Sequence, residues 1–406
     1  MHNEEYTGME SVAIHAARSL SAGHSHVMPI FATSAFTFDS AEQGMNRFSG
    51  KEPGFIYSRF GNPTTAAAAE TIAALESFGL VTGTGAPLIL KALLHASGQS
   101  AMSTMFLANL SAGDAVLSHY SLYGGTHEFL YGFLKRFGIT ALIEDLRDPN
   151  RAEDIIRKTP SIKMIHVETP ANPTMQCINL QTICSIAKKY NLKVSVDNTF
   201  ATPCLQQPFK YGVDFVFHST TKFLNGHGTS IGGALIGKDI PFMMGRVYDT
   251  YKLLGVNSNP FDAWLLMQGM KTLQVRMDLH CSNAIKVAEY LSGHAAVAKV
   301  NYNGLSSHPD YEISLQQMRK PGAVLSFELK NGFQSGRQFI DKLKMCVRAV
   351  SVGTVDTLIS HPASMSHSGM SREDRNASGI TDGLIRMSVG LENSNDILND
   401  LEQALA

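Results

Sequence analysis

Between residues 93 and 217 the chain alternates short apolar runs with helix-length segments, and this alternation restricts the fold more than any other feature. Leu93–Ala96, Ala115–Leu117, Met164–Val167, Val194–Val196 and Phe215–Phe217 read as strands. Gln99–Leu110, Glu128–Phe137 and Leu180–Tyr190, the last stopped by Asn191, read as the helices between them. Strands separated by helices of about ten residues make βαβ units. The pattern therefore predicts an α/β fold with a mostly parallel central sheet and helices on both faces.

A sheet of that kind needs a large core, and 406 residues with 44% hydrophobic content supply one, with length for two or three domains. Residues 1–60 read as an N-terminal arm: a helical patch over Ser11–Leu20, Pro29, then a passage ending in Tyr57-Ser58-Arg59-Phe60-Gly61-Asn62-Pro63-Thr64. With few periodic apolar positions, the arm must lie against something else, another subunit included. Residues 61–257 form the sheet domain, opening with a helix over Ala66–Leu75 that Thr64 or Thr65 caps and Gly79 stops. Residues 258–406 form a smaller α+β C-terminal domain with one long helix over Phe261–Leu291, a strand at Ala323–Leu329 and a last helix near Ile397–Leu405.

Charge and motifs exclude several functions. Thirty-four basic against 35 acidic side chains give a net charge of -1 with no long basic run, which argues against nucleic acid and anionic membranes as partners. The five cysteines (Cys177, Cys184, Cys204, Cys281, Cys346) are widely spaced and never C-x-x-C, as expected of reduced thiols in a cytoplasmic protein. No apolar run suggests a signal peptide or a membrane span. Gly83-Thr84-Gly85-Ala86-Pro87-Leu88 lacks the third glycine of a dinucleotide loop and has proline where the helix should start. His127-Glu128 has no second histidine, the pairs His24/His26 and His361/His367 lack ligand spacing, and no metal site is expected. The methionines Met267, Met270 and Met277 read as core.

Ligands of parallel sheets bind at the carboxyl ends of the strands, so the residues just beyond the strands carry the chemical information. Lys222 follows the Phe215 strand after Ser219, Thr220 and Thr221, with Gly226 and Gly228 beyond. A lone loop lysine is ordinarily solvated, but hydroxyls at Ser219 and Thr221 can hold a phosphate while the amine faces elsewhere. That is what a lysine-linked pyridoxal 5'-phosphate (PLP) requires. Asp197 ends the Val194–Val196 strand and either pairs with a protonated pyridine nitrogen or forms a turn. Gly98 and Gln99 begin a helix rich in small residues, as a phosphate-binding helix start or an ordinary tight turn. Tyr123 follows the Ala115 strand and either stacks on a planar ring or packs internally. Arg386, flanked by apolar residues, wants a carboxylate, from an amino-acid substrate or from a structural ion pair.

Several blocks together then resemble the Cys/Met-metabolism family of PLP-dependent enzymes, which holds cystathionine γ-synthase, cystathionine lyases, methionine γ-lyase and O-acylhomoserine sulfhydrylases. They are Tyr57–Thr64, Tyr123-Gly124-Gly125-Thr126, Asn172-Pro173-Thr174, Val196-Asp197-Asn198-Thr199, Ser219-Thr220-Thr221-Lys222, His361-Pro362-Ala363-Ser364 and Arg386-Met387-Ser388-Val389-Gly390-Leu391-Glu392. The resemblance covers nearly the whole chain and implies a PLP-dependent transferase of fold type I. It implies that Lys222 carries the cofactor and moves protons, Asp197 partners the pyridinium and Tyr123 stacks on the ring. Asn172 would lie near the ring's phenolic oxygen, and Gly98, Gln99, Ser219 and Thr221 would hold the phosphate. Tyr57 and Arg59 would reach in from a neighbouring subunit of a homotetramer, with Tyr57 also at the substrate. Arg386 and the backbone around Ser351 would take the substrate carboxylate.

Within the family, Val350 stands where cystathionine-handling members often carry glutamate, and Gly125 where methionine γ-lyases often carry cysteine. Gly226–Gly233 is most similar to O-acetylhomoserine sulfhydrylases, while Val81–Leu90 departs from the family pattern. The expectation is γ-replacement on an O-acylhomoserine by sulfide or a thiol. The alternative is γ-elimination from methionine, with cystathionine chemistry and a non-catalytic PLP-binding protein behind it.

Overall fold

The computed structural model describes residues 6–17, 20, 24–366, 368–369, 371–377 and 379–406. Each apolar run of the alternating region forms a strand, because only the interior of a covered sheet shelters both of its faces. Strands β1 (Lys91–His95), β2 (Ala115–His119), β3 (Thr140–Glu144), β4 (Ile162–Glu168), β5 (Lys193–Asp197), β6 (Phe215–Ser219) and β7 (Gly233–Gly237) build one sheet. Their order is β1-β7-β6-β5-β4-β2-β3. The pairs from β3 through β2, β4 and β5 to β6 are parallel, and β7 runs antiparallel to both β6 and β1.

Neighbouring residues of each strand enter different apolar layers. Leu94, Leu117, Ile165, Val216 and Ile236 pack with the helices Pro63–Glu76 and Leu180–Lys189. Leu93, Val116, Met164, Phe215 and Leu235 pack on the other face with the helix Gly98–Asn109. The fold is thus the mostly parallel, doubly covered α/β arrangement expected from the alternation.

A second sheet follows: β8 (Val297–Asn301), β9 (Val324–Leu329), β10 (Val347–Arg348), β11 (Leu358–Ser360) and β12 (Leu384–Ser388), in the order β10-β11-β12-β9-β8. The helices Leu273–Gly293, Gly332–Lys342 and Ser394–Leu405 share its apolar layer. Strand β12 carries Arg386 in register with Ser326 of β9 and Ser360 of β11.

Several local expectations change. The long helix over Phe261–Leu291 is two helices, Pro260–Met270 and Leu273–Gly293. The break at Lys271–Thr272 has a polar cause: the buried Arg276 guanidinium takes the carbonyls of Gly269 (2.6 Å) and Phe223 (2.8 Å). The helix Pro63–Glu76 is capped by Asn62, which accepts the Thr64 N–H at 2.9 Å, rather than by Thr64 or Thr65, and it ends before Gly79. The segment expected as a helix from Glu128 starts at Gly124, then runs as a π-helix over Phe129–Phe133 and a 3-10 turn over Leu134–Phe137. Strands β3 and β7 and the helix Pro149–Lys158 were not anticipated. The arm's helix is Met9–His15; Arg18 and Ser19 of the expected patch, and His367 of the rejected histidine pair, lie outside the described residues. Among the described residues no helix is long and apolar enough to cross a membrane.

Candidate active site

Register brings the candidate residues together. Glu168 pairs with Asp197 across β4 and β5, Asp197 pairs with Phe217 across β5 and β6, and Ser219 ends β6. A cavity of about 270 Å³ opens at this edge of the sheet.

One end of the cavity is rich in donors. The helix Gly98–Asn109 points its start into it, and the Ser97 side chain takes the Ser100 N–H, so among the described residues Gly98 and Gln99 keep theirs free for a ligand. Ser219 and Thr221 line the same end. A Cβ on Gly98 would stand 2.7 Å from Ser219 Cβ and 2.9 Å from Ser219 Cα, so only glycine lets this helix start approach β6 so closely.

Asp197 and Glu168 occupy the strand ends. Asp197 Oδ1 accepts the Thr199 N–H at 3.0 Å. Burial pushes both carboxyls above the usual carboxylate range, and the charge of Asp197 adds to the effect on Glu168. Thr199 and His218 oppose the rise at Asp197. Tyr123, 54% exposed, folds over Gly125, where a Cβ would meet its ring at 2.7 Å. A larger residue at 125 therefore requires the ring to move.

Lys222 and Arg386 face the far end. Lys222 Nζ donates to Ser351 Oγ at 2.8 Å, and burial, with the Arg386 charge, lowers its pKa to about 8. Arg386 Nη2 donates to the carbonyls of Val350 (2.8 Å) and Ser351 (3.2 Å), and Nη1 stands 3.5 Å from Asn172 Oδ1. Burial lowers the guanidinium to about 10. Among the described residues no carboxylate lies within ion-pair distance of Arg386, which leaves that charge for a ligand.

Tyr57 and Arg59 do not line this cavity. Tyr57 is 41% exposed, and Arg59 donates to the Lys252 carbonyl at 2.8 Å and lies over the Phe60 ring. Among the described residues no group of three His, Cys, Asp or Glu could hold a metal ion.

This donor set suits PLP. Two free N–H groups and two hydroxyls suit a phosphate, an aspartate suits a ring nitrogen, and one half-buried amine of low pKa suits an aldehyde. The sequence of residues 10–406 matches the family described as Cys/Met metabolism PLP-dependent enzyme. The chain belongs to that family. PLP is its cofactor, and it is an enzyme acting at the γ-carbon of amino-acid substrates. It is 43% identical to an L-methionine gamma-lyase of Porphyromonas gingivalis over 98% of this chain and 97% of that one. It is 36% identical to an O-succinylhomoserine sulfhydrylase of Pseudomonas aeruginosa, covering 99% and 96% of the two. A crystal structure of cystathionine gamma-lyase from Lactobacillus plantarum, complexed with L-serine, superposes with a TM-score of 0.88 at 36% identity and 98% coverage of both chains.

The cavity of this PLP enzyme also holds a residue the sequence reading passed over. Glu168 lines it, buried, between the loops that carry Tyr123 and Asn172. Its signal is the one that marks Asp197: an acid closing an apolar strand, here Met164–Val167.

Proposed function

We propose that the enzyme cleaves the Cγ–S bond of L-methionine, so that methionine and water give 2-oxobutanoate, ammonia and methanethiol. The observation that carries this reading is the pairing of Arg386, without a carboxylate partner, with the apolar Val350, Val352 and Ile231 in one cavity. A substrate with one carboxylate and an apolar thioether tail satisfies both. A second charged amino-acid arm, as in cystathionine, would find no charged partner in Val350. The Porphyromonas methionine γ-lyase at 43% identity, against the sulfhydrylase at 36%, supports elimination ahead of replacement. That order reverses the expectation drawn from Gly226–Gly233.

When bound, PLP supplies an electron-poor ring that takes up the charge left at the α-carbon. Lys222 would hold it, and as the one amine lining the cavity among the described residues, with a pKa lowered to about 8 that leaves part of it unprotonated near neutral pH, it would serve as the base for the α-proton. Asp197 keeps the proton on the ring nitrogen, and Tyr123 covers the ring. Gly98, Gln99, Ser219 and Thr221 hold the phosphate. Asn172, whose Oδ1 lies 3.5 Å from Arg386 Nη1, would lie near the ring's phenolic oxygen, and Arg386 with the Ser351 backbone would orient the substrate carboxylate. Tyr57 and Arg59 on the arm serve the cavity of a neighbouring copy in a homotetramer of two dimers, Tyr57 reaching its substrate as well. Sedimentation of the purified protein, with cofactor retention in Arg59→Ala, tests this; a monomer that keeps its cofactor would refute it.

Incubation with methionine alone, and separately with O-acetylhomoserine plus sulfide, tests the reaction. Rapid 2-oxobutanoate from methionine supports elimination. Homocysteine from the second mixture, with methionine inert, overturns it in favour of γ-replacement.

A further inference from the structure

Glu168 is 5% exposed, and its carboxyl group joins two loops. Oε2 accepts the Tyr123 N–H at 2.6 Å, and Oε1 accepts the Asn172 N–H at 2.9 Å. The first loop leaves β2 and carries the exposed aromatic ring; the second leaves β4 and carries the amide beside Arg386. Among the described residues no lysine or arginine pairs with Glu168, so any negative charge it takes is buried without a counter-cation, and burial with Asp197 raises its carboxyl well above the usual range. A neutral side chain of similar size would fill the space at lower cost. What a neutral side chain lacks is two acceptor oxygens aimed at two N–H donors.

We propose that Glu168 is a positioning residue that sets the Tyr123 ring and the Asn172–Arg386 pair as one unit, holding cofactor ring and substrate carboxylate in register. The inference rests on the roles proposed above for those three residues. The titratable groups that share the cavity are Asp197 on β5, Tyr123 after β2, Lys222 after β6 and Arg386 on β12. Ionised, Glu168 offers two full acceptor oxygens to the two N–H groups; protonated, its hydroxyl oxygen accepts more weakly and its O–H needs an acceptor of its own. The link between the loops therefore tightens as Glu168 loses its proton, which burial and Asp197 defer to above the usual carboxylate range.

The test compares wild type with Glu168→Gln and Glu168→Asp. Pyridoxine 5'-phosphate has an alcohol in place of the aldehyde and cannot condense with Lys222, so its calorimetric Kd across a pH series, compared between wild type and variant, reads positioning without the covalent step. The KM is taken on cofactor-saturated enzyme with methionine or O-acetylhomoserine, whichever turns over. Glu168→Gln is expected to raise both constants about 10-fold, roughly 1.4 kcal/mol each, and to abolish the gain in analogue affinity that wild type shows as pH rises. Glu168→Asp, one methylene shorter, is expected to bind more weakly but keep that gain, and it carries the comparison if the glutamine variant does not fold. Wild-type constants and an unchanged pH profile in Glu168→Gln, with or without a lower melting temperature, would overturn the proposal and leave the site reading intact. Failure of wild type to bind the analogue would overturn both.

Discussion

Replacing Gly98 by alanine adds one methyl group where the helix Gly98–Asn109 meets the end of β6. The new carbon would sit 2.7 Å from Ser219 Cβ and 2.9 Å from Ser219 Cα. Carbon atoms settle at about 3.5–4.0 Å, so the two elements must part by about 1 Å. Ser219 Cα is backbone and has no rotamer by which to escape. Gly98 is not among the positive-φ glycines, so this collision and not backbone strain is the effect. Overpacking of this kind costs about 1–3 kcal/mol. The same displacement separates the free N–H groups of Gly98 and Gln99 from the hydroxyls of Ser219 and Thr221. Loss of one hydrogen bond to a charged phosphate costs about 1.5–3 kcal/mol, a rise in PLP Kd of roughly 10- to 150-fold. Titrating apo-protein with PLP by visible absorbance, beside a melting curve of the apo-protein, measures both effects. Gly132→Ala is the control, since nothing lies within 4 Å of the added carbon. Unchanged Kd and melting temperature in Gly98→Ala would refute the close approach and the phosphate site built on it.

Lys222→Ala should fold yet form no 2-oxobutanoate, and borohydride reduction of its PLP mixture should leave no cofactor on the chain by mass spectrometry. Because the Lys222 pKa is lowered from 10.5 to about 8, attachment of PLP to apo-protein should accelerate as pH rises through about 8; Arg386→Leu, by removing a neighbouring cation, should move that rise to higher pH. The same Arg386→Leu substitution should raise the KM for methionine roughly 10- to 100-fold through the lost carboxylate partner, which steady-state kinetics will read. Asp400 accepts the N–H groups of Lys344 (2.9 Å), Met345 (3.0 Å) and Cys346 (2.8 Å). Burial alone would raise its carboxyl, but these donors hold it below 3.8, so its stabilisation is present above that pH and is lost as pH falls through the lower folded value. Asp400→Asn should cost about 1–3 kcal/mol at neutral pH and flatten the acid limb of a denaturation series.

Much of the site was legible because strand ends are. Asp197 closes Val194-Ser195-Val196, Lys222 follows Phe215-Val216-Phe217 after a short polar turn, and a parallel sheet exposes its carboxyl ends to ligands. Glu168 obeys the same rule but stands in Glu168-Thr169-Pro170, which reads first as a turn, so its two loop contacts emerge only in three dimensions. Strand β7 is Gly-Ala-Leu-Ile-Gly, a run too short and glycine-bounded to announce a strand. It exists because β1 and β6 flank it and complete its hydrogen bonds. The split of the long helix was hidden for a related reason: local propensity continues through Lys271–Thr272, and Arg276 ends the first helix by taking the Gly269 carbonyl while also reaching the Phe223 carbonyl in the loop beyond Lys222.

The sequence alone carried the period of the sheet, the PLP family and the proposal of Lys222, Asp197 and Arg386 as its amine, carboxylate and guanidinium, since each rests on residue type and spacing along the chain. Only the tertiary structure decided that Arg386 has no carboxylate partner among the described residues, that Gly98 touches Ser219, that Tyr57 and Arg59 stand outside their own cavity and that Glu168 joins two loops. Most of those facts are contacts between residues far apart along the chain, 45 positions for Tyr123 and Glu168, and burial then fixes the energy of each charge; neither quantity is carried by local sequence.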